Sequence, residues 1–163
     1  MDKDEILTYA TESERSYLDK ARLAALIEAA FGRTLKRSYL ATSFSRAYIF
    51  RPYRGAVIIL RDQSGISYLD KFAVAPEFRG NGVAKKLWQH AAAANPRLYW
   101  RARATNPVCE WYKTLVTKPG FVSDGWRREG SWIVFWRGLG AYEVETCVQR
   151  ALERPGSFEG DVP

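Results

Sequence analysis

The sequence predicts one mixed α/β domain, an α+β arrangement with a mixed sheet, over its 163 residues. Three observations carry that expectation. Short apolar runs punctuated by turn residues fill the stretch 47–74, as an antiparallel meander would. A glycine loop at 80–82 then joins a strand pattern to a helical one, and a second strand pattern follows; such a crossover joins parallel strands. Amphipathic stripes at helical spacing stand near both ends.

The elements follow in order. Residues 6–10 carry a short apolar stretch suited to an edge strand. Asp19 is a helix N-cap ahead of Leu23, Leu26, Ile27, Ala30 and Phe31, which share one helical face, and Gly32 stops that helix. A second short helix is expected over 35–42. Strands are expected at 47–50, 56–60 and 66–74, separated by turns at 52–55 and 62–65 and ended by Pro76. Val83, Leu87 and Ala91 form the stripe of the next helix, which Asn95-Pro96 ends. Residues 98–104 read as a strand and Asn106-Pro107 opens a short helix through Leu115. Residues 131–137 (SWIVFWR) read as a buried strand. A last helix follows Gly140, with Val144, Cys147, Val148, Ala151 and Leu152 on one face. Residues 1–18 and the tail from 155 are expected to be peripheral, the tail frayed.

Composition narrows the functions. Hydrophobic residues make up 47% and aromatic residues 14% of the chain, so an aromatic-rich core is expected, and the same aromatic excess allows a homodimer interface. No apolar run approaches the roughly 18 residues of a membrane span, and the charged N-terminus lacks a signal peptide's apolar core; the cytoplasm is the expected compartment. Cys109 and Cys147, without a CxxC spacing, and a lone histidine, His90, do not make a metal site. His90 sits mid-helix, as a solvated position more than a catalytic one. The formal net charge is +7, which serves solubility or attracts an anionic ligand. No lysine or arginine block and no nucleic-acid motif is present, so a polyphosphate cofactor or a dicarboxylate ranks above nucleic acid.

Two constellations carry chemistry. The first is the run from Tyr68 to Trp88, where a strand enters a glycine loop that opens a helix. Glycines let backbone N–H groups crowd together, and a helix N-terminus adds partial positive charge, so the loop can cradle a pyrophosphate. Arg79, Lys85 and Lys86 add charge. The spacing is neither the G-x-G-x-x-G dinucleotide fingerprint nor a Walker A loop. The second is Tyr68-Leu-Asp-Lys-Phe72, Trp100-Arg-Ala-Arg-Ala-Thr-Asn-Pro107 and Trp111-Tyr112. Alternation puts Arg101 and Arg103 on one strand face, where guanidinium groups can hold carboxylates bidentately. Lys71 can join them, or pair with Asp70 or Glu110.

Arg79-x-x-Gly82-x-Ala84, with its lead-in from Val74 to Arg79, resembles the R/Q-x-x-G-x-G/A loop of the GNAT acyl-CoA N-acyltransferases. The wider motif set, from about Asp19 to Leu152, resembles the acetyltransferase domain of vertebrate-type N-acetylglutamate synthases. It resembles still more the bacterial bifunctional synthase/kinases. The resemblance implies a GNAT fold with acetyl-CoA between splayed central strands. The implied cofactor contacts are Phe72, Ala73 and Val74, whose backbone N–H groups would polarise the thioester, then Arg79, Gly80, Asn81, Gly82, Val83 and Ala84. It implies acetyl transfer to the α-amine of L-glutamate. In that family the residues matching Lys71, Arg101 and Asn106 contact the glutamate moiety, and a basic residue follows the Phe-Gly of the first helices, here Arg33; by its charge and strand face Arg103 joins Arg101 and Lys71 in a basic pocket for the two carboxylates. Tyr112 is the implied general acid and Asn106 the group that orients the amine or a water; no His or Glu base is evident, and no metal is expected. The relatives carry an amino-acid-kinase domain as the partner of this one. Two other readings stay open: a GNAT enzyme for another amine, and a catalytically silent domain serving regulation or assembly.

Overall fold

The computed structural model describes residues 5–41 and 43–161. Thr42, the expected end of the second helix, and the outermost residues of both expected peripheral segments lie outside them. The strands are β1 (Ile6–Tyr9), β2 (Arg46–Phe50), β3 (Gly55–Arg61), β4 (Ser67–Val74), β5 (Leu98–Arg103), β6 (Gly125–Glu129) and β7 (Trp132–Arg137). The helices are α1 (Glu12–Arg15), α2 (Lys20–Phe31), α3 (Val83–Ala94), α4 (Val108–Val116) and α5 (Ala141–Glu153). The strands hydrogen-bond in the order β1-β2-β3-β4-β5-β7-β6. β1 with β2, β2 with β3, β5 with β7 and β6 with β7 pair antiparallel. β4 and β5 pair parallel at Ser67↔Leu98 and Tyr68↔Tyr99, as the strand–loop–helix–strand order requires. The chain groups into two compact units: the described residues of Met1–Arg61, Leu69–Ala94 and Pro155–Pro163, and Asp62–Tyr68 with Asn95–Arg154.

In the first unit β3 is buried along nearly its whole length. Helices cover both of its faces, which is why its sequence is a continuous apolar run and not an alternating one. Leu23, Leu26 and Ile27 of α2 pack with Ala47, Ile49, Ala56 and Ile58. Each such leucine or isoleucine contributes about 1.5–3 kcal/mol by leaving water. Asp19 caps α2 by accepting from the Arg22 N–H at 3.1 Å, and Gly32 closes it at φ 64°. α3 approaches β2 and β3 with Val83 and Leu87 so closely that a Cβ at Gly55 would strike both.

In the second unit Leu98, Tyr99 and Trp100 are fully buried. The Trp100 ring stacks on Phe135 at 5.5 Å and meets Tyr112 edge-on at 5.5 Å. On the other face Tyr99 donates to Asp62 at 3.0 Å, and Arg150 of α5 reaches the same carboxylate at 2.9 Å.

Four local expectations need correction. β6 was not expected, because GWRRE has no apolar run. It is an edge strand with three charged residues, Arg128 exposed and Arg127 and Glu129 half-buried, and Arg127 pairs with Glu129 at 2.6 Å and Glu145 at 2.9 Å. α1 was also unexpected, although Thr11 and Glu14 form its capping box. The second helix is only a 3-10 turn over Arg37–Ala41. The tail is not frayed through its described length. Leu35 and Phe158 bridge, the Lys36 N–H donates to Ser157 O and the Glu159 N–H to Thr34 O, both at 2.8 Å, and Phe158 is buried in the first unit's core.

Gly138 leaves β7 at φ 68°, and a Cβ there would overlap the Pro96 carbonyl. Gly138→Ala therefore combines backbone strain with a backbone clash. Urea denaturation should show a loss of about 2–4 kcal/mol.

Candidate active site

The loop predicted to hold a pyrophosphate runs directly into the N-terminus of α3. Gly80 and Gly82 take φ values of 86° and 80°, a region that side chains resist, and a Cβ at either would point into open space. The first helical bond of α3 runs from the Lys86 N–H to Gly82 O at 3.1 Å. The N–H groups of Val83, Ala84 and Lys85 thus precede any helical partner and are available to an anion. Asn81 is exposed, while Val83 is buried and anchors the loop. Arg79 is exposed, and its guanidinium donates to Ala30 O at 2.6 Å, where a cation also complements the C-terminal end of α2. Lys86 pairs with Glu5 at 3.1 Å. Phe72 and Val74 of β4 are half-buried and Ala73 is buried.

Two expected substrate cations belong to this first unit. Lys71 is buried on β4, and its ammonium donates to Ser157 Oγ at 2.9 Å and to Asp70 O and Oδ2 at 3.3 Å. It also lies over the rings of Tyr39, at 4.9 Å, and Phe158, at 5.5 Å. Of the two carboxylates weighed for Lys71, Asp70 is the one it meets, and Glu110 pairs with Lys113 at 3.1 Å instead. Arg33 pairs with Asp161 at 2.6 Å and stacks over Phe158 at 4.9 Å. Ser157, Phe158 and Asp161 escaped the sequence reading, since nothing local in PGSFEGD signals where the chain docks.

The second unit holds the other four, with Arg101 and Arg103 on one face of β5 and Tyr112 packed against Trp100 on the opposite face. Arg101 and Arg103 share a face of β5, as their alternation predicts, and both guanidinium groups lie 3.9 Å from the ring centre of Trp132. Trp132 is the cross-strand partner of Arg103. It is a further candidate for the site by its stacking on both arginines, foreshadowed by the aromatic run of 132–136. Arg101 also donates to Ala151 O at 3.0 Å, and Arg103 reaches Ser131 Oγ at 3.4 Å. Asn106 Oδ1 accepts from the Val108 N–H at 3.0 Å, an Asx turn that leads into α4. That bond engages the side-chain carbonyl and leaves the amide NH₂ for a ligand. Tyr112 is buried against Trp100, Phe135 and Trp111. Burial pushes its phenol far above the ordinary value, and the neighbouring Cys109 adds to the rise.

The remaining candidates have structural employment. His90 is exposed on α3, edge-on to Tyr48 at 5.2 Å and 3.1 Å from Thr8 Oγ1. Cys109 and Cys147 are buried free thiols whose pKa values burial raises, that of Cys147 to about 11, so both are poor nucleophiles. Among the described residues no group of three or more His, Cys, Asp or Glu could hold a metal ion, and no helix is long and apolar enough to cross a membrane.

Solved structures share the fold. The ribosomal-protein-S18-alanine N-acetyltransferase of Escherichia coli superposes with a TM-score of 0.57 at 13% identity, covering 83% of this chain and 96% of that one. A GNAT family acetyltransferase from Elizabethkingia anophelis, with acetyl-CoA bound, gives 0.54 at 13% identity, covering 84% of this chain and 100% of that one. At the level of sequence the likeness is stronger. The chain is 37% identical to a protein named acetylglutamate kinase from Xanthomonas campestris pv. campestris, over 88% of this chain and 33% of that protein. It is 35% identical to the human mitochondrial N-acetylglutamate synthase, over 86% of this chain and 26% of that protein. It thus spans a minor part of the length of these relatives. Residues 9–154, which include the glycine loop, Lys71, Arg101, Arg103, Asn106 and Tyr112, match the family model described as the N-acetyltransferase domain (NAT) of N-acetylglutamate synthase. The chain belongs to that family.

Proposed function

We propose that this chain transfers the acetyl group of acetyl-CoA to the α-amine of L-glutamate, giving N-acetyl-L-glutamate and CoA, the first step of arginine biosynthesis. The observation that carries the reading is that one family match, residues 9–154, holds both an anion-cradling loop and a set of cations already held by partners. Pyrophosphate binding is assigned to the backbone of Gly80, Asn81, Gly82, Val83 and Ala84, with Arg79 as a neighbouring cation. A backbone N–H in Phe72–Val74 is assigned to the thioester carbonyl, where a donor aimed at developing negative charge lowers the barrier. The glutamate carboxylates are assigned to Lys71, Arg101 and Arg103. Arg33 is the least direct member of the set, because Asp161 already neutralises it. An amino-acid-kinase domain is the proposed partner within a longer chain, on the strength of the kinase-named relatives, and the cytoplasm is the proposed compartment.

The chemistry forms a C–N bond and breaks the C–S bond, and one proton leaves the amine nitrogen while one reaches sulfur. An α-ammonium is mostly protonated near neutrality, so a water takes its proton first. The turn that leads into α4 bears on Asn106. With its carbonyl engaged by the Val108 N–H, the amide NH₂ suits a carboxylate or a water oxygen, not the amine's own hydrogens. Tyr112 is assigned as the acid that protonates the departing thiolate. Its raised pKa makes the transfer more uphill than an ordinary phenol would, but a desolvated thiolate has its own basicity raised by the same effect.

Thiol release from acetyl-CoA across a panel of amino acids, polyamines and peptide N-termini is the decisive assay. Glutamate should be preferred, and preference for a polyamine or peptide would remove the substrate assignment. The kinase-named relatives also bring a silent domain into view, which would release no thiol with any acceptor. Tyr112→Phe should lower kcat by about 10²-fold with the KM for acetyl-CoA kept within about twofold. Arg101→Ala should raise the KM for glutamate by about tenfold or more, read from the same assay. Activity should rise with pH as the ammonium loses its proton. The phenol is active in its protonated form and its pKa is raised, so no fall due to Tyr112 should appear up to about pH 10.

A further inference from the structure

The described C-terminal residues are fastened at several points. Ser157 O and the Glu159 N–H bond the backbone of the segment that follows α2, and the Phe158 N–H donates to Asp161 Oδ2 at 3.0 Å. Asp161 Oδ1 in turn receives the Arg33 guanidinium. Phe158 packs against Phe31 with ring centres 5.2 Å apart. This fastening delivers one hydroxyl, Ser157 Oγ, to the buried Lys71 ammonium, nearer to it than Asp70 O or Oδ2.

We propose that Ser157 is a positioning residue for the acceptor amino acid: it holds the Lys71 ammonium away from full pairing with Asp70, so that a substrate carboxylate can take the place of one of the longer Asp70 contacts. The inference rests on the glutamate reading above and deepens it. A lysine ammonium is a point charge on a flexible stem, so its direction must come from its neighbours. Asp70 is adjacent in sequence, and a close Lys71–Asp70 pair would cancel the charge a substrate needs. Two features restrain that pairing. Tyr39 donates to Asp70 Oδ2 at 2.8 Å and so shares the same oxygen. Ser157 offers a shorter, uncharged acceptor on another side. The faces of Tyr39 and Phe158 attract the cation without supplying a counter-charge. A hydroxyl that accepts from an ammonium also keeps its own proton to donate. Ser157 thus costs the site none of its positive charge.

The test compares the full 163-residue chain with Ser157→Ala and Ser157→Thr. Read-outs are kcat, both KM values, the melting temperature and the affinity for N-acetyl-L-glutamate by calorimetry. Ser157→Ala should raise the KM for glutamate by about tenfold and weaken the calorimetric affinity in step. It should leave kcat and the KM for acetyl-CoA within about twofold, and Ser157→Thr should restore the parent values. Preference for glutamate over one of its two monoamides, glutamine or isoglutamine, should narrow, which also tells which carboxylate Lys71 meets. A glutamate KM within twofold of the parent overturns the inference. So does a parallel loss of kcat, both KM values and melting temperature without rescue by threonine, which would make the tail a structural brace only. If the parent chain neither acetylates glutamate nor binds N-acetylglutamate, the proposed function falls and this inference with it; an active parent with an unchanged Ser157→Ala variant removes this inference alone.

Discussion

The two-residue period of β5 is the constraint on which the second unit depends. One set of alternate residues, Leu98, Trp100 and Ala102, is buried, and Trp100 meets Phe135 and, edge-on, Tyr112 of α4. The other set, Tyr99, Arg101 and Arg103, faces Asp62, α5 and the Trp132 indole. A shift of pairing by one residue would exchange the two sets and bury guanidinium groups among aromatic rings. Register therefore sets core packing and the placement of the two guanidinium groups together. Neither can be changed without the other.

The first unit solves a different problem, that of a charge inside a core. Lys71 lies on the same strand face as Leu69 and Ala73, where an unpaired ammonium would be prohibitively costly. The solution is a ring of partners drawn from three parts of the chain: the adjacent Asp70, Tyr39 in the 3-10 turn, and Ser157 in the tail. The glycine loop meets a gentler demand. Its backbone N–H groups need space and orientation, both of which the positive φ values of Gly80 and Gly82 supply.

Much of this was legible in the sequence, for reasons particular to each element. The helical stripe of α2 and its Asp19 and Gly32 caps are local signals, and so is the alternation of Arg101 and Arg103. The parallel pairing of β4 and β5 followed from the crossover, and the loop motif stood at the strand–helix junction where an anion can be bound. What was missed depends on non-local docking. Nothing in Pro155–Asp161 reveals that Phe158 fills a space beside Leu35, or that Ser157 lands on a lysine 86 residues away in sequence. β6 was missed because an edge strand answers to solvent on one side and is written in charged letters. Asn106 is a candidate site residue by its motif, but the engagement of its carbonyl in a turn ahead of α4, which bears on what it can bind, is visible only with Val108 beside it.

That charged edge has a bearing on how such a domain survives in a crowded solution. An exposed strand is a template on which another chain can zip, and a flat apolar one would recruit copies into fibrils or stray assemblies. Arg127, Arg128 and Glu129 line β6 where such recruitment would begin, and the first of them is tied to two glutamates. Any incoming strand would have to strip water from those charges before gaining a single ladder bond. The border of the sheet thus resists polymerisation through the hydration of its side chains.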